Sequence, residues 1–491
     1  MIYKSKKKKK QVMIKIKIFA VCMLIGSLVC VGETYYLDAT YGDDNRNGLS
    51  PENAWQTIAA INRGWSIIQA GDSILFKRGE KFIGIRLDIR RGGTSENPLK
   101  IGVYGNGPKP VISAYSGAIS CREKDAGHII IKDIAIKNII GGQAISFNAD
   151  NISCIRISGV DIDNVPNYNG ILLYKVDTYL IEDCEISNCG NSCIAIMGSS
   201  IYPITNGIIR NNIINNAIEG DGITLHRSSD YPVGPNHWIE GNICYNNREQ
   251  GIDINGGDNI TLTGNETYRN GDSGILVDKW ASRVLIEKHY SHDEMLMGII
   301  INFSSDVKLI NSIIYNMEYH ALIIDGCRNF QGYNNTIIQG IKGRSSILDI
   351  KPGSRNIRFI NNIIMTFQTP DASPSFRFLD GANPQNTSCD FRNNVWWRPD
   401  GISASFWWDE DSGRYDLNHW KFHYSQGEDS HFVDPRLNIE FNLEPASPCI
   451  DAGIDVGIQM DYSGKKVPRG KAVDIGAFEF YPEKKETKSK R

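Results

Sequence analysis

The sequence predicts an all-β chain, a single-stranded right-handed parallel β-helix with an N-terminal capping segment and an irregular C-terminal cap. Three observations carry this. Asn-bearing turns at 242, 265, 311 and 334 fall on a ladder that steps by 23, with Lys288 in the remaining slot. A five-residue apolar strand marker recurs as Gly222–His226, Gly251–Asn255, Gly274–Asp278, Gly298–Asn302 and Ala321–Asp325, with steps of 29, 23, 24 and 23. An inserted polar loop, Ser228–His237, accounts for the long first step, and the rhythm runs more loosely from His128 to Val395.

A period near 23 is too short for helical repeats, and no L-x-x-L-x-L frame supports a leucine-rich repeat. Strands of four or five residues that alternate Ile, Val or Leu with polar residues bury no face alone. Stacked coil upon coil they do, at a rise of about 4.8 Å per coil. Asn in stacked turns tolerates the left-handed conformation and bonds to the turns above and below. About ten to twelve coils are expected over this length.

The remaining elements follow in order. Residues 1–32 carry eight Lys and no acid, and the apolar run Ile18–Val31 ends at Gly32. A basic start, an apolar stretch of about fourteen residues and a small exit residue fit a secretory signal peptide. The run is short for a membrane span, which needs about 20 residues. Met13 serves equally well as a start, and Cys30 allows a lipid-anchored surface form instead. Residues 33–127 read as the N-terminal cap and first coils, with a short helical stretch at Ile58–Ile61 that would close the open sheet end. The coils occupy 128–395. In 396–482, Trp396, Trp397, Trp407, Trp408 and Trp420 are expected to pack as a cap, and 483–491 is a charged disordered tail. Nine Cys remain beyond the leader, an odd number without metal spacing, so buried thiols are expected.

The chain has 491 residues with 53 Lys and Arg against 56 Asp and Glu, a net charge of -3. Without the leader and the basic tail, 40 basic residues face 54 acidic ones, or -14. A nucleic-acid partner needs a basic footprint and is excluded on this ground. An anionic glycan would need a cation or a local basic patch.

The second and fourth positions of the strand marker point inward, which sends the third and fifth outward. The outward columns read Thr224, Asp253, Leu276, Ile300, Ile323 and His226, Asn255, Asp278, Asn302, Asp325, with Asp221, Glu249, Gln250 and Asp272 just before the strands. Acid, amide and imidazole groups therefore converge over about three coils. An ordinary solvated face is the plain alternative. One functional reading has Asp221, Glu249 and Asp253 holding Ca²⁺, which takes about six to eight oxygen ligands, while Lys279 or His226 removes the proton alpha to a uronate carboxylate. The other is glycoside hydrolysis by Asp253 and Asp278, on adjacent coils and two residues apart, about 8 Å between backbones. That lies within the window of about 6.5–9.5 Å for inverting enzymes. Trp280, Arg227 and Asn255 are the candidate sugar-binding residues.

The segments YYLDATYGDDNRNGLSPENAWQTI (Tyr35–Ile58), PLKIGVYGNGPKPVI (Pro98–Ile112), DSHFVDPRLNIEFNLEPASPCIDAG (Asp429–Gly453) and DIGAFEF (Asp474–Phe480) resemble secreted parallel β-helix proteins of polysaccharide-degrading bacteria. The resemblance implies the fold and a polysaccharide substrate, while lyases, hydrolases and epimerases share the frame. Asp221-Gly222 with Glu249-Gln250-Gly251-Ile252-Asp253 is similar to calcium-dependent pectate lyases. Gln250 departs from an Asp there, and Leu276 stands where those lyases carry Lys. The Gly-His-Gly of β-helix polygalacturonases and the Asp-Pro-His of mannuronan epimerases are absent. A secreted or periplasmic monomer acting on a polysaccharide is expected, by metal-assisted elimination first and inverting hydrolysis second. A non-catalytic glycan-binding β-helix is the third reading.

Overall fold

The structure, a computed structural model, describes residues 32–198, 204–226, 233–340, 345–367, 376–378, 388–399, 406–408, 413–424, 427 and 429–482. They wind into a right-handed parallel β-helix of about 11 turns. A typical coil carries three strands, here Ile252–Asn255, Asp258–Thr263 and Glu266–Tyr268, which belong to a first, second and third face. Each pairs in parallel with its counterpart one coil on: Ile252 with Ile275, Ile260 with Val284, Thr267 with Ser291.

The alternation in the sequence decides which side is core. Ile252, Ile254, Ile275, Val277, Ile299 and Ile301 are fully buried inside the coil stack, and each such side chain contributes roughly 1.5–3 kcal/mol relative to exposure. The register stacks Thr224, Asp253, Leu276, Ile300 and Ile323 into one column, as the marker predicts.

The Asn ladder needs a correction. It consists of two columns one residue apart. The inner column runs through Asn242, Asn265, His289, Ser312, Asn335, Asn362 and Asn394. The Asn242 N–H donates to Asn265 Oδ1 at 3.0 Å, Ser312 N–H to Asn335 Oδ1 at 2.9 Å and Asn335 N–H to Asn362 Oδ1 at 2.9 Å. The preceding residues, Gly241, Gly264, Lys288, Asn311, Asn334 and Asn361, all have positive φ. Positions 242 and 265 therefore lie on the inner column and 288, 311 and 334 on the outer. The columns separate because the turn Lys279-Trp280-Ala281 joins strands that neighbouring coils join with two residues, Gly256-Gly257 and Phe303-Ser304.

Both ends of the stack are closed. The helix Ile58–Gly64 buries Ile58, Ala60 and Ile61. At the other end Trp420 stacks on Phe406 with centroids 5.0 Å apart, and Trp396 meets Phe406 edge-on at 4.8 Å. Trp396 and Trp420 are buried as expected; the side chains of Trp407 and Trp408 lie outside the described set, as do the leader with Cys30 and the tail. The segment after 429 lies alongside the coils. Asn311, Asn334, Asn361 and Asn393 donate their side-chain amides to the carbonyls of Met460, Asp474, Ile454 and Ala452. Of the nine described cysteines, all but Cys154 are buried. No helix among the described residues is long and apolar enough to cross a membrane.

Candidate active site

A cleft of about 910 Å³ opens over the first face, and its lining includes Asp221, His226, Glu249, Asp253, Asn255, Asp278 and Lys279. Seven of the nine sequence-derived candidates thus share one cavity. Trp280 stands just outside the lining and is 71% exposed. Arg227 lies outside the described residues, as do residues 228–232 of the inserted loop beside it.

Asp253 sits mid-strand in Ile252–Asn255 and is only 5% exposed. Thr224, its partner on the preceding coil, donates its hydroxyl to Asp253 Oδ2 at 3.1 Å. Oδ1 is buried without a hydrogen-bond partner among the described residues. Burial first, and the charge of Asp221 second, hold this carboxyl well above the usual carboxylate range, against the opposing Thr224 bond and Lys279 charge.

Asp221 lies in the turn before the strand Ile223–His226. Its Oδ1 accepts the backbone N–H of Gln250 at 3.0 Å. Burial, then the neighbouring charges of Glu249 and Asp272, pushes it up to about 7. Gln250 also donates its side-chain amide to Asp272 Oδ2 at 2.6 Å, so one glutamine is bonded to two of the acids. Asp278 closes the strand Ser273–Asp278 half-buried, and its Oδ1 accepts the Lys279 N–H at 2.6 Å. Asp253 pairs with Leu276 and Asn255 with Asp278. One coil and two residues therefore separate the two aspartates, about 8 Å between backbones.

The expected calcium ligands are not gathered. Among the described residues no three His, Cys, Asp or Glu side chains stand close enough to hold a metal ion, and the Asp221 oxygen nearest Gln250 is already bonded.

Thr224, Gln250 and Asp272 shape the site without having been assigned a role from sequence, and Asn169, Asn191 and Ser192 reach it from earlier coils. Thr224 was legible as the column partner of Asp253. Asn169, Asn191 and Ser192 come from coils whose rhythm is loose, so their register was hidden.

The fold and the site define a class: a right-handed parallel β-helix protein with an acid-lined cleft over one face. Residues 205–364 match the family model of the right-handed β-helix region, and residues 115–282 match a model described as periplasmic copper-binding protein (NosD). No curated protein sequence matches the chain. Among solved structures the chain is similar to XylC in complex with xylose, at 11% identity over 90% of this chain and 98% of that one, with a TM-score of 0.54. It is also similar to the A-module of the mannuronan C-5 epimerase AlgE6 of Azotobacter vinelandii, at 13% identity over 77% and 95%, with a TM-score of 0.47. Pectate lyase Pel9A matches at 15% identity over 91% and 96%, with a TM-score of 0.44. Likeness at these identities is likeness of fold.

Proposed function

We propose that this protein is an exported carbohydrate-active enzyme that hydrolyses glycosidic bonds, with Asp253 as proton donor and Asp278 as the base that activates water. The observation that carries this reading is the unequal pair of carboxyls in one cleft. Asp253 is buried, bonded through a single oxygen and held well above the usual carboxylate range by burial, while Asp278 is more open and one coil away. Asp253 gives its proton to the glycosidic oxygen as the bond to the leaving sugar breaks. Water, losing a proton to Asp278, adds to the anomeric carbon from the opposite face. A backbone separation of about 8 Å is compatible with a water between the two carboxyls, the arrangement of an inverting enzyme. Asp221 keeps Asp253 protonated by its charge, and Asn255 and Trp280 are placed to contact the sugar. The body charge of -14 favours a neutral glycan over a polyuronate, and a β-helix of like fold was solved with xylose. The basic, apolar leader and the periplasmic description of one matching family model support export.

The crowding of Glu249 and Asp272 around Asp221 favours a second reading, the metal-assisted elimination of a uronate. One experiment separates the two. The protein is incubated with xylan, a β-glucan and polygalacturonate, with and without EDTA. New reducing ends from a neutral glycan, insensitive to chelator and lost in Asp253→Asn, support hydrolysis. Chelator-sensitive ultraviolet absorbance from an unsaturated uronate would replace it with elimination. No cleavage of any glycan would leave a binding protein.

A further inference from the structure

The turn that makes one coil longer than its neighbours also carries the most exposed tryptophan beside the cleft. Lys279-Trp280-Ala281 joins Asp278 to Ser282, where adjacent coils use Gly256-Gly257, Phe303-Ser304 and Gly326-Cys327. Ala281 is buried, so the additional residue pushes Trp280 outward, to 71% exposure. The next coil places Phe303, 50% exposed, beside it, with ring centroids 6.4 Å apart and planes at 49°. The Trp280 N–H donates to the Phe303 carbonyl at 2.9 Å.

Both aromatics sit where the backbone asks for glycine. Lys279, Trp280 and Phe303 have φ of 51°, 68° and 38°, while the flanking coils fill the same turn with Gly256 at 89° and Gly326 at 60°. Bulky residues in the left-handed region are strained, and such strain concentrates at ligand sites. Gly326 is fixed by the same feature, since a Cβ there would lie 2.7 Å from the Phe303 ring. Two exposed rings are thus held, at a conformational cost, on successive coils along one rim.

We infer that Trp280 and Phe303 form a two-ring stacking platform for consecutive sugars of a neutral, β-linked glucose- or xylose-configured glycan, running along the helix axis from Asp253 towards the C-terminal coils. This rests on the hydrolase reading of the cleft. Pyranoses with equatorial hydroxyls present a flat C–H face that packs on an aromatic ring, and an axial hydroxyl interrupts it. The coil rise of about 4.8 Å is close to the length of one pyranose, so adjacent rings meet adjacent sugars. The platform is one-sided, because Gly256 and Gly257 in the Asp253 coil and Gly326 beyond Phe303 offer no ring.

The test uses the full-length Asp253→Asn protein, titrated with xylo-, cello- and galacturono-oligosaccharides of two to five sugars by calorimetry and tryptophan fluorescence. Xylo- or cello-oligosaccharides should bind more tightly than galacturono-oligosaccharides and perturb the emission of Trp280. Trp280→Ala should weaken them about tenfold or more, Phe303→Ala should weaken only the longer ones, and Trp280→Phe should restore part of the loss. Trp280→Gly should weaken binding while raising Tm, which a merely structural tryptophan would not do. Unchanged binding in Trp280→Ala, or preference for the galacturono-oligosaccharides, overturns the platform. Platform and catalytic reading fail separately. Asp253-dependent cleavage with unchanged KM in Trp280→Ala removes the platform alone. Trp280-dependent binding without cleavage of any glycan leaves the platform and removes the hydrolase.

Discussion

Thr224 and Asp253 face one another from neighbouring coils, and the threonine hydroxyl donates to Asp253 Oδ2 at 3.1 Å while Oδ1 has no hydrogen-bond partner among the described residues. One oxygen is fixed and the other is not. The arrangement exists because both residues occupy an outward position of the strand marker, which parallel register brings side by side.

The pH dependence of activity should respond to the two neighbours of Asp253 in opposite senses. The Thr224 bond lowers its pKa and the Asp221 charge raises it. Activity that needs the protonated acid is lost on the alkaline side, so Thr224→Val should move that limb of the kcat/KM profile to higher pH and Asp221→Asn to lower pH. Shifts in the same direction would remove Asp253 from the role of acid.

Removing the acid itself should be severe. Asp253→Asn should lower kcat by about 10²–10⁴-fold, the usual contribution of a positioned proton donor, with a native melting curve. A substrate whose leaving group needs no proton, such as a dinitrophenyl glycoside, should recover most of the loss. Equal losses on both substrates would point to damage of the fold.

Asp221 should make stability depend on pH. Unfolded, it titrates near 3.9; folded, it is pushed up to about 7. The folded state holds this proton more tightly, so the contribution of the group is complete below about pH 4 and is lost as the pH rises towards 7. Asp221→Asn retains an acceptor for the Gln250 N–H. Its Tm should match the wild type near pH 4 and exceed it at pH 8 in thermal melts.

The inner ladder should be costly to break. Asn335 accepts from Ser312 N–H, and its own amide donates to Leu309 O and Asn362 Oδ1, each at 2.9 Å, with the side chain fully buried. Asn335→Ala removes the acceptor of Ser312 N–H and the side-chain donor to Leu309 O, while Asn362 Oδ1 keeps the Asn335 backbone N–H; it should cost about 1–3 kcal/mol for each group stranded, read as a lower midpoint in urea. Asn311→Ala, on the outer column, loses one bond to Met460 O and should cost less.

Much of the fold was legible in the chain. The period near 23, the Ile-x-Ile strands and the Asn-bearing turns name a stack of coils, because each describes the local geometry of one coil and the next repeats it. The register of the two outward columns followed, so Asp253, Asn255 and Asp278 could be placed on adjacent coils by counting. Counting failed where the repeat changed length: the additional residue in the Lys279–Ala281 turn merged two Asn columns into one apparent ladder. It also hid Phe303, whose interest comes from standing in a slot that Gly326 fills one coil later.

The sequence by itself therefore determined the coil, the inward and outward sides of each strand and the acids that share a face, since these depend on residue period and local conformation. Only the tertiary structure decided that burial raises the carboxyls of Asp221 and Asp253 above the usual carboxylate range, that Gln250 is bonded to both Asp221 and Asp272, and that Trp280 and Phe303 stand as one rim. Those properties depend on desolvation and on distances between coils, which no spacing along the chain encodes.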